Sequence, residues 1–331
     1  MLNWISALEE RLLSGEEATG EEGLRLFELE GADVYELFSS ANRIARANKG
    51  RAVELCSIVN AKSGRCPENC AFCTQSAHHR TASPVYPLKS PAELTAAAQE
   101  AEGFSTNRFG IITSGTGVKE GPELDAICEA VSSISRRGKL APCASLGIMS
   151  ENTLKKLKAS GLTRFHHNLE TARSFFPKIC TTHDYEDDVA TVRAARNAGL
   201  SVCSGGIFGL GESRAQRVEM ALTLRDLGVD SVPVNFLVPV KGTRMEGMPP
   251  LAPLEALKII AVFRFLLPGA TIRVCAGRDR NLRDLYSWIF FAGADGMMIG
   301  NFLTTVGRDV KADLEMISQL GFTPVAEGGK R

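Results

Sequence analysis

The chain has 331 residues, enough for one large α/β domain with an added segment. Acidic and basic residues balance at 38 each and no long run of one charge occurs, so neither a nucleic-acid partner nor an anionic membrane partner is expected. Glu9, Glu10 and Arg11 follow soon after Met1, so no signal peptide is read; the best apolar stretch, Ile259 to Leu267, is interrupted by Arg264 and too short to span a bilayer. A cytoplasmic protein is expected. In that reducing compartment nine cysteines, an odd number, point to metal or redox chemistry before disulfides.

Residues 1–48 read as a helical N-terminal extension with a Gly/Glu-rich link from Gly15 to Gly23. From residue 49 to 331 a short apolar, β-prone run is followed repeatedly by a turn and a helical stretch. The strand candidates are Val53–Val59, Arg108–Thr113, Leu140–Ser145, Arg164–Leu169, Ser201–Phe208, Ser231–Leu237, Thr271–Cys275 and Gly296–Ile299. Ser90 with Glu93, and Ser213 with Gln216, read as capping boxes. Gly121-Pro122 and Ser150 fit further helix starts. Met220, Ala221, Leu224 and Leu227 recur at helical spacing, and Gly199 and Gly228 stop helices. Eight such units predict a TIM-type (β/α)8 barrel with its chemistry at the C-terminal ends of the strands; a doubly wound open sheet is the rival.

After the first strand comes Arg65-Cys66-Pro67-Glu68-Asn69-Cys70-Ala71-Phe72-Cys73-Thr74-Gln75-Ser76. Three thiolates this close can hold three irons of a [4Fe–4S] cluster and leave the fourth iron without a protein ligand. That open iron can chelate the methionine part of S-adenosylmethionine. A zinc site is the alternative, and it needs a fourth ligand such as His78 or His79. The spacing C-x3-C-x2-C, with Phe72 just before the third cysteine, resembles the signature of the radical S-adenosylmethionine superfamily. Cys203-Ser204-Gly205-Gly206-Ile207 runs from the fifth strand into a glycine-rich loop. Its glycines let backbone approach a ligand, and the loop matches that superfamily's nucleoside-contacting loop.

Cys143, Cys203 and Cys275 fall on the third, fifth and seventh strands. Alternate strands of such a barrel feed one interior layer, so the three thiols are expected to converge. Arg273 shares the face of Cys275 and needs an anionic partner, for which a thiolate–sulfide cluster qualifies. Cys56, Cys128 and Cys180 read as ordinary core or connecting cysteines.

With both sets placed, the sequence resembles the biotin synthase family from about Leu55 to Thr305. The resemblance rests on the Arg65–Ser76 stretch, His167-Asn168-Leu169-Glu170-Thr171, Val202-Cys203-Ser204-Gly205-Gly206-Ile207, Val234-Asn235, Lys241-Gly242-Thr243, and Arg273 with Ala276-Gly277-Arg278. It implies sulfur insertion into dethiobiotin, with sulfur taken from an auxiliary iron–sulfur cluster. It further implies a small electron donor of flavodoxin or ferredoxin type and a homodimer. Asn168 and Glu170 are expected at the ribose of S-adenosylmethionine, and Asn168 and Asn235 at the ureido ring; turn and capping chemistry is their plainer role. One departure stands out. The family's usual cysteine on the second strand is Gly110 here, and the residue two after Arg273, usually serine, is Cys275. Two readings follow: a [2Fe–2S] cluster with a relocated ligand, or a four-iron cube with one extra sulfide. The second is favoured, and it leaves Arg273 beside the cluster. A radical enzyme without sulfur insertion (carbon-skeleton rearrangement or hydrogenase-cofactor maturation) and a non-enzymatic iron–sulfur carrier are the other functions considered.

Overall fold

In the computed structural model, which describes residues 2–325, the β-prone runs form ten strands. They are β1 (Ala52–Lys62), β2 (Arg108–Thr113), β3 (Ala141–Ser145), β4 (Arg164–His166), β5 (Ser201–Cys203), β6 (Gly206–Phe208), β7 (Ser231–Phe236), β8 (Thr271–Val274), β9 (Gly296–Met298) and β10 (Thr323–Pro324). All neighbours pair in parallel from β1 round to β9, and β9 returns to β1 through Glu54↔Gly296, Leu55↔Met297 and Cys56↔Met298. The sheet is therefore a closed eight-stave barrel wrapped by helices, a TIM-type (β/α)8 fold, and not an open sheet.

The fifth stave is broken where the sequence reads as one run. β5 pairs with β7 at Cys203↔Ser231, Ser204-Gly205 interrupt the ladder, and β6 resumes at Gly206↔Val234. The break follows from close backbone approaches. A Cβ at Gly205 would lie 2.2 Å from the Pro233 carbonyl oxygen, and one at Gly206 would lie 2.2 Å from that of Glu170. The fourth stave also runs on irregularly past β4: the amides of His167 and Leu169 donate to the carbonyls of Cys203 and Gly205, each at 3.0 Å.

Helix starts follow the local chemistry. Ser90 and Glu93 form a reciprocal capping box before helix Pro91–Glu102, and Ser213 and Gln216 form one before helix Arg214–Asp226. Met220, Ala221, Leu224 and Leu227 are all buried. The Gly/Glu-rich link is shorter than expected. Thr19 and Glu22 cap a helix, Gly20–Phe27, that takes up half of it. Gly23 is small because Leu266 packs there, 3.1 Å from where a Cβ would lie.

Helices Leu2–Leu13, Gly20–Phe27 and Asp33–Lys49 lie outside the barrel, the last two against helices Arg214–Asp226 and Pro253–Leu266. Helix Pro253–Leu266 is thus covered on both sides, and every residue from Ala256 to Leu266 is buried. This accounts for the apolar run in the sequence. Arg264, its interruption, is fully buried against Asp295 at 2.6 Å and donates to the carbonyls of Gly293, Pro268 and Ala270. Among the described residues, no helix is long and apolar enough to cross a membrane.

Candidate active site

Cys66, Cys70 and Cys73 lie on the loop that follows β1, at the C-terminal end of the barrel. Backbone bonds tie the loop: Cys66 N to Gln75 O at 3.0 Å, Ala77 N to Cys66 O at 2.8 Å, Cys73 N to Cys70 O at 3.0 Å, and Ala71 N to Ile179 O at 2.9 Å. Arg244 donates to the carbonyls of Asn69 and Ile179 at 2.8 and 2.7 Å and pins the loop to the segment before Cys180. The Cys70 sulfur lies 3.7 Å from that of Cys180. His78 and His79 donate to the carbonyls of Pro67 and Cys73, at 2.9 and 2.8 Å. Among the described residues, no three of these thiols and imidazoles bring ligand atoms within 4.8 Å of one another. A single zinc ion held by three of them does not fit that spacing; three thiolates on one loop are the donor set of a multi-iron cluster.

A cavity of about 330 Å³ runs from Phe72, Cys73 and Thr74 into the barrel. Asn168, Glu170, Ile207 and Asn235 line its middle, and Cys143, Cys203, Cys275 and Arg273 line its interior end. The three expected thiols do converge. Burial pushes the Cys203 thiol up to about 12, against the pull of Arg164, and the Cys275 thiol up to about 11, against that of Arg273. Gly205 and Gly206 do not line the cavity. They let the staves approach, while Ile207 between β6 partners faces the space.

The polar side chains are anchored yet keep bonding capacity. Asn168 accepts from Gly205 N at 3.2 Å and donates to Glu170 at 3.2 Å. Asn235 donates to Gly206 O at 3.2 Å and accepts from Ala276 N at 3.1 Å. Each amide retains an N–H and a lone pair. Glu170 sits in the left-handed region, at φ 62°, and burial followed by the nearby Asp188 raises its carboxyl to about 8. His166, also on the wall, is lowered by burial to about 4 and is neutral at pH 7.

Several site residues escape a residue-by-residue reading of the sequence. Cys56, read as an ordinary core thiol, lines the same cavity as the other three interior cysteines. Arg273 has a protein partner: it pairs with buried Glu54, which also takes Arg164 at 2.7 Å and Arg108 at 2.9 Å. Three guanidiniums thus face one carboxylate, and Arg273 Nε has no hydrogen-bond partner in the protein. An orphaned buried donor amid excess positive charge fits an anionic cluster held by the thiols. Strand alternation is the signal that could have found them, since Glu54 and Cys56 share a face of β1, and Arg164, His166 and Asn168 share a face of the fourth stave.

Cys180, the other thiol read as ordinary, lies beside the first site. Its Sγ is 3.7 Å from that of Cys70 and 3.4 Å from His183 Nδ1, which is 2.7 Å from Glu68. The Cys70 thiol and the imidazole hold Cys180 far below the usual thiol range. Cys128 stays apart in helix Pro122–Arg137.

Comparison with known proteins agrees with this geometry. Residues 61–234 match the radical SAM superfamily and residues 233–323 match the biotin and thiamin synthesis associated domain. The biotin synthase of Citrifermentans bemidjiense is 57% identical over 98% of this chain and 99% of its own length. That of Geobacter metallireducens is 56% identical over 96% of each. Among solved structures, methylornithine synthase (PylB) superposes with a TM-score of 0.82 at 20% identity over 96% of this chain and 97% of its own, and the hydrogenase maturase HydG with 0.80 at 17% over 98% and 76%; these likenesses carry the fold alone. The chain belongs to the biotin synthase family, and is a radical S-adenosylmethionine enzyme of that activity.

Proposed function

We propose that the cavity holds S-adenosylmethionine next to the Cys66–Cys73 loop and dethiobiotin between that loop and the interior cysteines. The observation that carries this reading is that one cavity is lined by Cys73 of the loop and by the interior thiols Cys143, Cys203 and Cys275, together with Asn168, Glu170 and Asn235. When bound, a [4Fe–4S] cluster and an auxiliary cluster supply the electron that cleaves S-adenosylmethionine and the sulfur inserted into dethiobiotin.

In this reading Cys66, Cys70 and Cys73 hold the first cluster and Phe72 backs it. Asn168 and Glu170 bond the ribose, Ile207 packs on the nucleoside, and Gly205 and Gly206 fix the backbone that presents it. Asn168 and Asn235 orient the ureido ring through the bonding capacity their amides retain. The walls exclude water from the radical. Cys143, Cys203 and Cys275 hold the auxiliary cluster, read as a four-iron cube with one extra sulfide in preference to [2Fe–2S]. Arg273 stands beside it, and its unpaired Nε supports that placement.

The cavity draws no residue from before β1, which supports treating 1–48 as an extension of a barrel formed by 49–331. The nine cysteines are all free thiols, which supports a reducing, cytoplasmic setting. A flavodoxin- or ferredoxin-type reductant and a homodimer complete the proposal, both carried over from the family resemblance. The test is anaerobic reconstitution with iron and sulfide, followed by S-adenosylmethionine, a strong reductant and dethiobiotin. Mass spectrometry is expected to find 5′-deoxyadenosine and biotin together. 5′-Deoxyadenosine without biotin would remove sulfur insertion from the reading.

A further inference from the structure

The interior thiols number four, and their arrangement has a pattern. Cys56 is on β1, Cys143 on β3, Cys203 on β5 and Cys275 just past β8. With the fifth stave counted once, these are the first, third, fifth and seventh staves of the barrel. An interior layer of a (β/α)8 barrel is built from four side chains, one from each alternate stave. With the barrel's stagger of about one residue per stave, the strand registers place Cys56, Cys143, Cys203 and Arg273 at one level, with Cys275 two residues nearer the C-terminal end of its stave. We propose that Cys56 is a fourth protein ligand of the auxiliary cluster, so that the iron site is held by four thiolates, three at one level and Cys275 above them. This rests on the auxiliary-cluster reading above and changes its ligand set: the fourth iron takes the Cys56 thiolate in place of an extra sulfide, and the inserted sulfur is drawn from the cluster's own sulfides.

Four observations support the four-thiolate set. Cys56 lines the cavity together with the other three sulfurs, and those three are its ionisable neighbours besides Arg164. Among the described residues no three of the four sulfurs lie within 4.8 Å of one another, which is too wide for one ion held by three of them. The second stave offers no competing sulfur. Gly110 stands there, and a Cβ added to it would meet Ile58 Cγ2 at 3.0 Å, so the β1 side chain two residues beyond Cys56 fills that side. Finally, Arg108, Arg164 and Arg273 outweigh Glu54, and each further thiolate added to the set meets that excess.

The test uses the full chain with the first cluster removed by Cys66→Ala, Cys70→Ala and Cys73→Ala, so that all bound iron reports on the interior site. Anaerobic reconstitution of this parent should give about four irons per chain. Into it go Cys56→Ser, which keeps size and removes the sulfur, and Cys128→Ser as a cysteine change outside the cavity. Circular dichroism checks that each variant is folded, and Cys56→Ala repeats the test should the serine variant misfold. The expected result is that Cys56→Ser alters the Mössbauer spectrum of about one iron in four, while Cys128→Ser leaves it unchanged. Superimposable spectra for the parent and Cys56→Ser would overturn the proposal and leave the auxiliary-cluster reading standing. A parent that binds no iron with all four thiols present would overturn that reading and the proposal with it.

Discussion

The two thiol sites of this barrel are built in opposite ways. Cys66, Cys70 and Cys73 come from one loop, shaped by its own backbone bonds and pinned to distant segments by Arg244, by Ile179 and by the contacts of Glu68 with Thr116, Thr182 and His183. The interior set draws its sulfurs from separate staves, over residues 56 to 275, and its charged floor joins Arg273 to Glu54 across 219 positions. The ligand set of the first site is therefore a property of a short sequence. The second is a property of barrel closure, because no two of its sulfurs share an element.

The sharpest break between the sites is chemical. Cys66→Ala is expected to abolish 5′-deoxyadenosine formation, and biotin with it. Cys275→Ala is expected to lose biotin while still cleaving S-adenosylmethionine. Product analysis by mass spectrometry separates the two outcomes, and normal biotin formation by Cys275→Ala would sink the assignment of that thiol. Next in size is the floor. Glu54→Gln leaves two buried guanidiniums, Arg164 and Arg273, and the half-buried Arg108 without their carboxylate and should cost the metal-free protein about 3–5 kcal/mol. Reconstitution should narrow that loss, because an anionic cluster takes over part of the carboxylate's role. Thermal unfolding with and without iron and sulfide checks it, and an unchanged gap counts against an anion at that end of the cavity.

Glu170 offers a graded comparison. Its carboxyl lies at about 8, raised from 4.5 by burial. Between those values the folded protein keeps a proton that the unfolded chain has released, so stability falls as pH rises from 4.5 to about 8 and is level beyond. The slope from this one group reaches at most about 1.4 kcal/mol per pH unit. Glu170→Gln should flatten it in metal-free protein, as denaturant titrations at several pH values would record; a slope left intact would place its origin elsewhere. The smallest effect belongs to Cys128→Ser, outside both sites, which should stay within about 0.5 kcal/mol of the parent and retain full iron content.

The contrast also explains what could be read from the sequence. The first cysteine loop, the eight staves and the capping boxes at Ser90 and Ser213 depend on residues a few positions apart, and they were visible. The break in the fifth stave depends on Gly205 meeting Pro233 and Gly206 meeting Glu170, which no local pattern records. Cys143, Cys203 and Cys275 were found by counting staves. Cys56 obeys the same count, yet a single thiol on a buried strand looks like ordinary core. Glu54 was missed for a different reason: the sequence gives no sign that Arg273, Arg164 and Arg108 share one carboxylate. The contact of Cys180 with Cys70 spans 110 positions and follows from the Ile179 carbonyl meeting Ala71.

The seam of the barrel sets an order of events during synthesis. β1 closes on β9, and β10 then lies along the start of β1, with Thr323 N donating to Arg51 O at 3.1 Å and Val325 N to Val53 O at 2.9 Å. The first stave therefore has one open edge until nearly the whole chain has left the ribosome. The Cys66–Cys73 loop is complete early, whereas the interior sulfurs meet only after Cys275 has emerged and the seam has shut. Iron delivery to the two sites is thus separated in time by the topology, and the nascent chain must keep its β1 edge from pairing with a stranger while it waits.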